Sequence, residues 1–275
     1  MENFNRSCFM FDHTLHRESI FDIPNLVELS KRLPGGYYST SDAGVEDGWK
    51  TGSKEPTSLP ETIATIAHSN SLVLLKGLAG DGEFGPVLRR VLDEVQDQVG
   101  EALRADVSEG RATLVISSPG RITPYHIDAE ANFLLQLRGE KIVNIFDPSD
   151  RTLLTDPELE AFYAGDVSAA TYKPERQRDA AVFDFAPGKG LHLPILAPHW
   201  TRNGDSVSVA ISINCSLHSN RRLANIYKFN NSMRKRGLVP SSPGTYRWRD
   251  ELKAAGVEGF GYARRLLRRN ATRHT

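Results

Sequence analysis

The chain has 275 residues, 39% of them hydrophobic and 25% charged, an ordinary globular composition long enough to bury the core of one β-barrel domain with helical additions. No run of about eighteen apolar residues exists, which excludes a spanning helix, and the N-terminus MENFNRSCFMFDHTLHRES has no apolar segment behind a basic flank, so no secretory signal is expected. The two cysteines, Cys8 and Cys215, lie far apart and fit a reducing, cytoplasmic setting. The formal net charge of zero conceals an asymmetry: from Arg221 to Thr275 fourteen Lys/Arg stand against three Asp/Glu, and residues 1–220 carry the balancing −11. Such a tail reads either as a surface for nucleic acid or an acidic partner, or as a solvated, partly helical extension. No recognition motif accompanies the charges, which favours the second.

In chain order, residues 20–33 (IFDIPNLVELSKRL) predict a short amphipathic helix that starts at Asp22 or Pro24 and is stopped by Pro34-Gly35-Gly36. Residues 37–60 are polar and rich in turn formers, which predicts a long loop. A helix over 60–69 and a buried strand over 72–77 follow. Beyond Phe84, the positions Val87, Leu88, Val91, Leu92, Val95 and Val99 recur at three- and four-residue spacing, one face of a helix packed on the core. Strands are expected over 122–128, 132–138 and 141–146. Gly139-Glu140 separates LLQLR from KIVNIF and suits a two-residue type II′ turn, so 132–138 and 141–146 are expected to form an antiparallel hairpin.

Residues 156–165 predict a helix opening near Asp156-Pro157. The polar stretch 166–180, with Tyr172, Lys173, Arg176 and Arg178, reads equally as a cover over a substrate or a solvated loop. A strand over 180–187 turns at Gly188-Lys189-Gly190. SVSVAISIN at 206–214 alternates most cleanly, with Val207, Val209, Ile211 and Ile213 on one face and Ser206, Ser208, Ala210, Ser212 and Asn214 on the other. That small polar face suits either a pocket wall or solvent. Helix signals return at 220–236 and near 248–269, the second interrupted by glycines.

The chemistry-bearing residues lie between Thr113 and His199. His126 and Asp128 stand two apart, so on one strand their side chains point the same way and converge. That pair alone is a weak signal, because the spacing arises by chance. His199, in PILAPHWTRNG, offers a third donor from another strand. Two His and one carboxylate form the facial arrangement of non-haem Fe(II) oxygenases, which leaves the remaining coordination positions open. Lys141 lies fifteen residues after His126 and can supply a cation to a ligand carboxylate in the same barrel.

Taken together, Thr123-Pro124-Tyr125-His126-Ile127-Asp128, then Asn132, then Gly139-Glu140-Lys141, followed by Gly188, Leu191, Pro194, His199 and Asn214, resemble the motifs of the JmjC-type, cupin-like Fe(II)/2-oxoglutarate-dependent dioxygenases. The likeness is to the HIF asparaginyl hydroxylase and its bacterial relatives in particular, and it covers roughly residues 113–215. It implies a mainly β fold with flanking helices: a double-stranded β-helix (cupin or jelly-roll) barrel over 111–219. Residues 1–110 would be helices and strands packed on it, and 220–275 a basic, partly helical extension. It further implies His126, Asp128 and His199 as iron ligands, Lys141 and Thr123 as partners of the distal 2-oxoglutarate carboxylate, and Asn132 and Asn214 as further polar groups of the pocket. Dioxygenases that anchor 2-oxoglutarate through Arg carry it beyond the second His, where this chain has Val209, Ala210 and Ile211, so Lys141 is the expected anchor.

The activity implied is hydroxylation of an amino acid, a peptide or protein side chain, or a small metabolite, with Fe(II) and 2-oxoglutarate, releasing succinate and CO2. The partners expected are that substrate and O2, with neither membrane nor nucleic acid, and a homodimer through the C-terminal helices. The alternatives are a catalytically silent cupin-like regulatory or nucleic-acid-binding protein, and a metal-dependent cupin enzyme without 2-oxoglutarate, which would have no task for Lys141. His192 is expected as a strand residue near the pocket and not as a ligand. His13, His16, His68, His218 and His274 are expected at the surface or as caps.

Overall fold

The computed structural model describes residues 4–33, 36–39, 43–48, 58–99 and 106–271. In order these form β1 (Phe9–Asp12), α1 (Ile23–Arg32), β2 (Gly36–Ser39), α2 (Leu59–Ala64), β3 (Leu72–Leu75), α3 (Phe84–Val99), β4 (Val107–Ser117), β5 (Ile122–His126), β6 (Ala131–Arg138) and β7 (Lys141–Ile145). Then follow α4 (Asp156–Tyr163), β8 (Ala181–Phe185), β9 (Lys189–Leu193), β10 (His199–Asn203), β11 (Ser208–Leu217), α5 (His218–Arg234) and α6 (Arg247–Ala271).

The strands build a seven-stranded sheet in the order β1-β9-β6-β11-β4-β3-β2 and a four-stranded sheet in the order β5-β10-β7-β8. From β4 to β11 every connection except β7 to β8 carries the chain from one sheet to the other. That winding is a double-stranded β-helix, the antiparallel jelly-roll solution to closing a sandwich. β1, β2 and β3 extend the larger sheet at its two ends.

The expected hairpin is overturned. β6 pairs with β11 and β9, whereas β7 pairs with β10 and β8, so 132–138 and 141–145 lie in different sheets. The glycine at the turn is needed all the same. Gly139 has φ 67°, and a Cβ there would stand 2.4 Å from the Val207 carbonyl oxygen. Gly139→Ala is expected to cost about 3 kcal/mol, from roughly 1–2 kcal/mol for left-handed backbone and the rest from overlap with a backbone atom. A melting temperature equal to the parent's contradicts a turn this tight.

Alternation along the large sheet decides what it faces. Leu114 and Ile116, Phe133, Leu135 and Leu137, and Val209, Ile211 and Ile213 are all at most 1% exposed and pack with Leu26, Leu29, Val87 and Val91 of α1 and α3. The opposite face presents Thr113, Val115, Asn132, Leu134, Ser212 and Asn214 to the space between the sheets. Helices therefore cover one side while the other is left for a cavity. A separate cluster of Tyr125, Phe146, Leu159, Tyr163 and Tyr227 seats α4 and α5.

Other expectations need smaller corrections. Part of the 37–60 loop is strand: Gly36–Ser39 pairs with β3, while residues 40–42 and 49–57 fall outside the described residues, as do Pro34 and Gly35. The 60–69 helix ends at Ala64, and the 72–77 strand at Leu75. On α3, Leu92 is 38% exposed, so the buried stripe is narrower than its spacing suggests, and the Val99 side chain is outside the described residues. The turn before β9 is Pro187-Gly188, and Lys189 and Gly190 already pair with β1. α6 runs without interruption through Gly256 and Gly259, because neither glycine needs a left-handed φ and both stay helical. Cys8 and Cys215 are both free thiols. Among the described residues no helix is long and apolar enough to cross a membrane.

Candidate metal centre

His126 closes β5 and His199 opens β10, and the two are directly opposite one another in the antiparallel pairing of those strands. Their rings are 4.1 Å apart between centroids. Asp128 joins them, with His199 Nε2 4.0 Å from Asp128 Oδ2 and the candidate donor atoms of all three residues within 4.8 Å of one another.

The route to this convergence differs from simple alternation. β5 stops at His126, and Asp128 lies past its end, held where the Leu196 N–H donates to the Asp128 carbonyl at 2.8 Å. Within β5 the register against β10 slips, with Thr123 opposite Thr201 but His126 opposite His199, so β5 carries one extra residue around Pro124-Tyr125. That bulge re-aims the strand, and both Thr123 and His126 point into the same cavity although three residues separate them. On the other side, Leu196 adopts φ 61°, a conformation costly for a branched residue, in the turn that delivers His199.

Each imidazole is oriented by its own backbone. His126 Nδ1 donates to the Pro124 carbonyl at 2.7 Å and His199 Nδ1 to the Ala197 carbonyl at 2.9 Å. Those carbonyls can only accept, which fixes the proton on Nδ1 and leaves the Nε2 lone pair for a cation. Burial, and then the neighbouring His126, keep the His199 ring neutral, the form a metal requires. A borderline cation with imidazole and carboxylate donors on one face is what this set fits.

A cavity of about 380 Å3 contains the site, and all seven residues expected at it (His126, Asp128, His199, Thr123, Asn132, Lys141 and Asn214) line its wall. Lys141 is 6% exposed, and its ammonium makes neither a hydrogen bond nor an ion pair with any described residue. Burial alone pushes its ammonium down to about 8. A cation taken out of water without a partner is expensive, and a ligand carboxylate would supply what is missing. The residues present therefore fit 2-oxoglutarate at that end and a metal ion at the other. Asn132 and Asn214 sit opposite each other on β6 and β11, and the Asn132 amide donates both to Asn214 Oδ1 and, at 2.6 Å, to Ser212 Oγ.

Among the wall residues to which sequence reasoning gave no role are Thr201, Ser212 and Glu130. Thr201 is 7% exposed and follows His199 at the two-residue spacing that returns a strand to the same face, a signal present in His-Trp-Thr. Ser212 was placed on the small polar face without a role. Glu130 lies two residues past Asp128; burial, and then the Asp128 carboxylate, push its carboxyl up while Arg111 pulls it down.

The remaining histidines divide. His192 is fully buried, with Nδ1 donating to the Asn132 carbonyl at 3.1 Å, Nε2 accepting from the Asn5 N–H at 3.0 Å, and Phe4, Phe9 and Phe133 around its ring. It is a satisfied core residue. His13 corrects the surface expectation: it is 6% exposed, and its Nε2 meets the Lys189 carbonyl because β1 docks on β9. His68 and His218 are exposed, and His274 is outside the described residues.

No protein-family model matches this chain, and no curated protein matches it in sequence. Solved structures do. The Escherichia coli ribosomal oxygenase YcfD in complex with cobalt and 2-oxoglutarate is similar with a TM-score of 0.52 at 14% identity, over 93% of this chain and 63% of that one. A second structure of YcfD gives 0.51 at 13% identity over the same shares. The likeness is one of fold. This chain has the double-stranded β-helix of the cupin and JmjC proteins, and it spans under two thirds of the oxygenase's length.

Proposed function

We propose that this protein is an Fe(II)- and 2-oxoglutarate-dependent oxygenase that hydroxylates an amino acid, a peptide or protein side chain, or a small metabolite. The observation that carries the reading is Lys141: a buried ammonium, without a partner among the described residues, on the wall of the cavity that also holds the His126, Asp128 and His199 donors. A metal-binding cupin with no dicarboxylate to hold has no use for a charge this costly.

When bound, iron and 2-oxoglutarate together supply the oxidising chemistry that places one atom of O2 in a substrate C–H bond and the other in succinate, with loss of CO2. In this reading His126, Asp128 and His199 hold the metal on one face and leave the cavity side open. Lys141, with the Thr123 hydroxyl, holds the far carboxylate and so fixes the direction in which the co-substrate lies. Thr201, beside Thr123 in the pairing of β10 with β5, is placed to join them. Asn132, Ser212 and Asn214 form a polar floor whose hydrogen bonds are already made, so it orients without reorganising. The barrel over 111–219 carries the donors, and the N-terminal segment completes the wall through Leu72, Leu74 and Lys76.

The test is succinate release from 2-oxoglutarate by protein reconstituted with Fe(II) in the presence of O2. Slow release without substrate and faster release with one is the expected result. Protein that binds Fe(II) fully and never consumes 2-oxoglutarate would instead be the silent cupin.

A further inference from the structure

The three candidate donors are not held alike. His126 and His199 lie on strands, opposite one another in the pairing of β5 with β10, and each ring is fixed through its Nδ1. Asp128 lies past the end of β5, in the stretch 127–130 that separates β5 from β6 and belongs to neither strand. Beyond the 4.0 Å approach of His199 Nε2, no described side chain makes a hydrogen bond or ion pair with its carboxylate. The aim of that carboxylate is therefore set by its backbone.

Two consecutive carbonyls of the stretch are tied down from outside it. The Asp128 carbonyl accepts from the Leu196 N–H at 2.8 Å, in the turn that delivers His199. The Ala129 carbonyl accepts from Asn220 Nδ2 at 2.8 Å, and the Tyr163 hydroxyl donates to Asn220 Oδ1 at 2.9 Å. The direction of this relay is fixed, because a backbone carbonyl can only accept: the Asn220 amide turns its NH2 to Ala129 and its oxygen to the phenol. Both side chains are buried, Asn220 at 7% and Tyr163 at 9% exposure, and each would be costly there without its partner. The anchors are themselves packed. Asn220 stands in the first turn of α5, directly after β11, and Tyr163 closes α4 with its ring stacked on Tyr227 of α5 at 5.6 Å between centroids.

We infer that Asn220 and, through it, Tyr163 are positioning residues of the metal centre: they hold the Ala129 peptide so that the Asp128 carboxylate meets the two imidazoles. The inference rests on the oxygenase reading for one premise, that His126, Asp128 and His199 hold a divalent metal. A side chain that merely seated α5 on the barrel would need no particular target, whereas this bond ends one residue from a donor. With it, the carboxylate is set in place beforehand. Without it, metal binding must also order the 127–130 stretch, and affinity falls by that cost. The extension that begins past residue 219 thus supports the centre from outside the barrel.

The test is titration of the full chain with Co(II), read by calorimetry and by the visible absorption of the bound ion, for the parent, Asn220→Leu, Tyr163→Phe and Glu160→Gln. Leucine is close to asparagine in shape and removes both bonds, while phenylalanine removes the phenol and leaves the bond to Ala129. Glu160→Gln weakens the ion pair with Arg234 that also joins α4 to α5, without touching the relay. Asn220→Leu should weaken Co(II) binding about tenfold or more, the scale for outer partners of metal ligands, and alter the absorption. Tyr163→Phe should show a smaller loss in the same direction. Glu160→Gln should melt lower yet keep parental affinity and absorption. Parental values in folded Asn220→Leu, or an equal loss in Glu160→Gln, overturn the inference. If Asn220→Leu does not fold, Tyr163→Phe decides by the same two readouts. Parent protein that takes up no Co(II) counts against the metal centre and the oxygenase reading with it, whereas parental uptake indifferent to the relay counts against Asn220 and Tyr163 alone.

Discussion

Alanine at His126 or Asp128 is expected to remove metal binding and succinate formation together while leaving the barrel folded. Outer partners of metal ligands alone are worth about 10–100-fold in affinity, so loss of one of three donors should cost at least the upper end of that range. The folding cost should be small at both positions. Neither residue is fully buried, and neither side chain belongs to a hydrophobic cluster of the core. His126→Ala gives up the hydrogen bond to the Pro124 carbonyl, worth about 1 kcal/mol, and separates two rings that stand 4.1 Å apart. His199 is 9% exposed and is the poorer probe, because its removal also opens a void. Metal content, Co(II) absorption and succinate release measured on the folded variants decide the matter. Full occupancy with parental turnover in either one would sink the three-donor centre.

Lys141→Met should produce two opposite effects: a more stable protein without 2-oxoglutarate, and one that no longer responds to it. The parent carries a buried ammonium whose proton is lost near pH 8, against 10.5 for a free lysine. Below pH 8 both folded and unfolded chains keep the proton, and the fold bears the whole desolvation cost, about 3 kcal/mol. Between about pH 8 and the free value the folded chain gives up the proton while the unfolded chain retains it, so parental stability rises with pH across that window. Methionine fills similar space without a charge. The variant should therefore melt several degrees higher at pH 7, and the gain of the parent between pH 8 and 10 should be missing from it. Binding moves the other way. Leaving one partner of a buried charged pair alone typically costs on the order of 3–5 kcal/mol, which is roughly a hundredfold or more in affinity, while metal content should hold because Lys141 donates nothing to the metal. Unchanged melting and unchanged 2-oxoglutarate affinity would mean a solvated lysine, and the main support for the co-substrate would be gone.

The sequence by itself determined whatever depends on neighbours along the chain. The β11 alternation of Val209, Ile211 and Ile213 against Ser212 and Asn214 separated an apolar from a small polar face, because a strand offers only two faces; that the first lies under helices and the second lines a cavity came from the structure. Gly139 was legible as a left-handed turn for the same local reason. The candidate donors His126, Asp128 and His199 stood out as residue types and spacings, and the structure brings them together. What only the tertiary structure decided is which strands are neighbours. A period of two tells a strand which face is apolar but not which strand lies beside it, so the turn at Gly139 read as a hairpin when it carries the chain between sheets. The extra residue in β5 that turns Thr123 and His126 to one side exists only as a mismatch with β10. That the Lys141 ammonium has no partner among the described residues is likewise a property of the cavity, because a charged side chain is unpaired only relative to what the fold has placed around it.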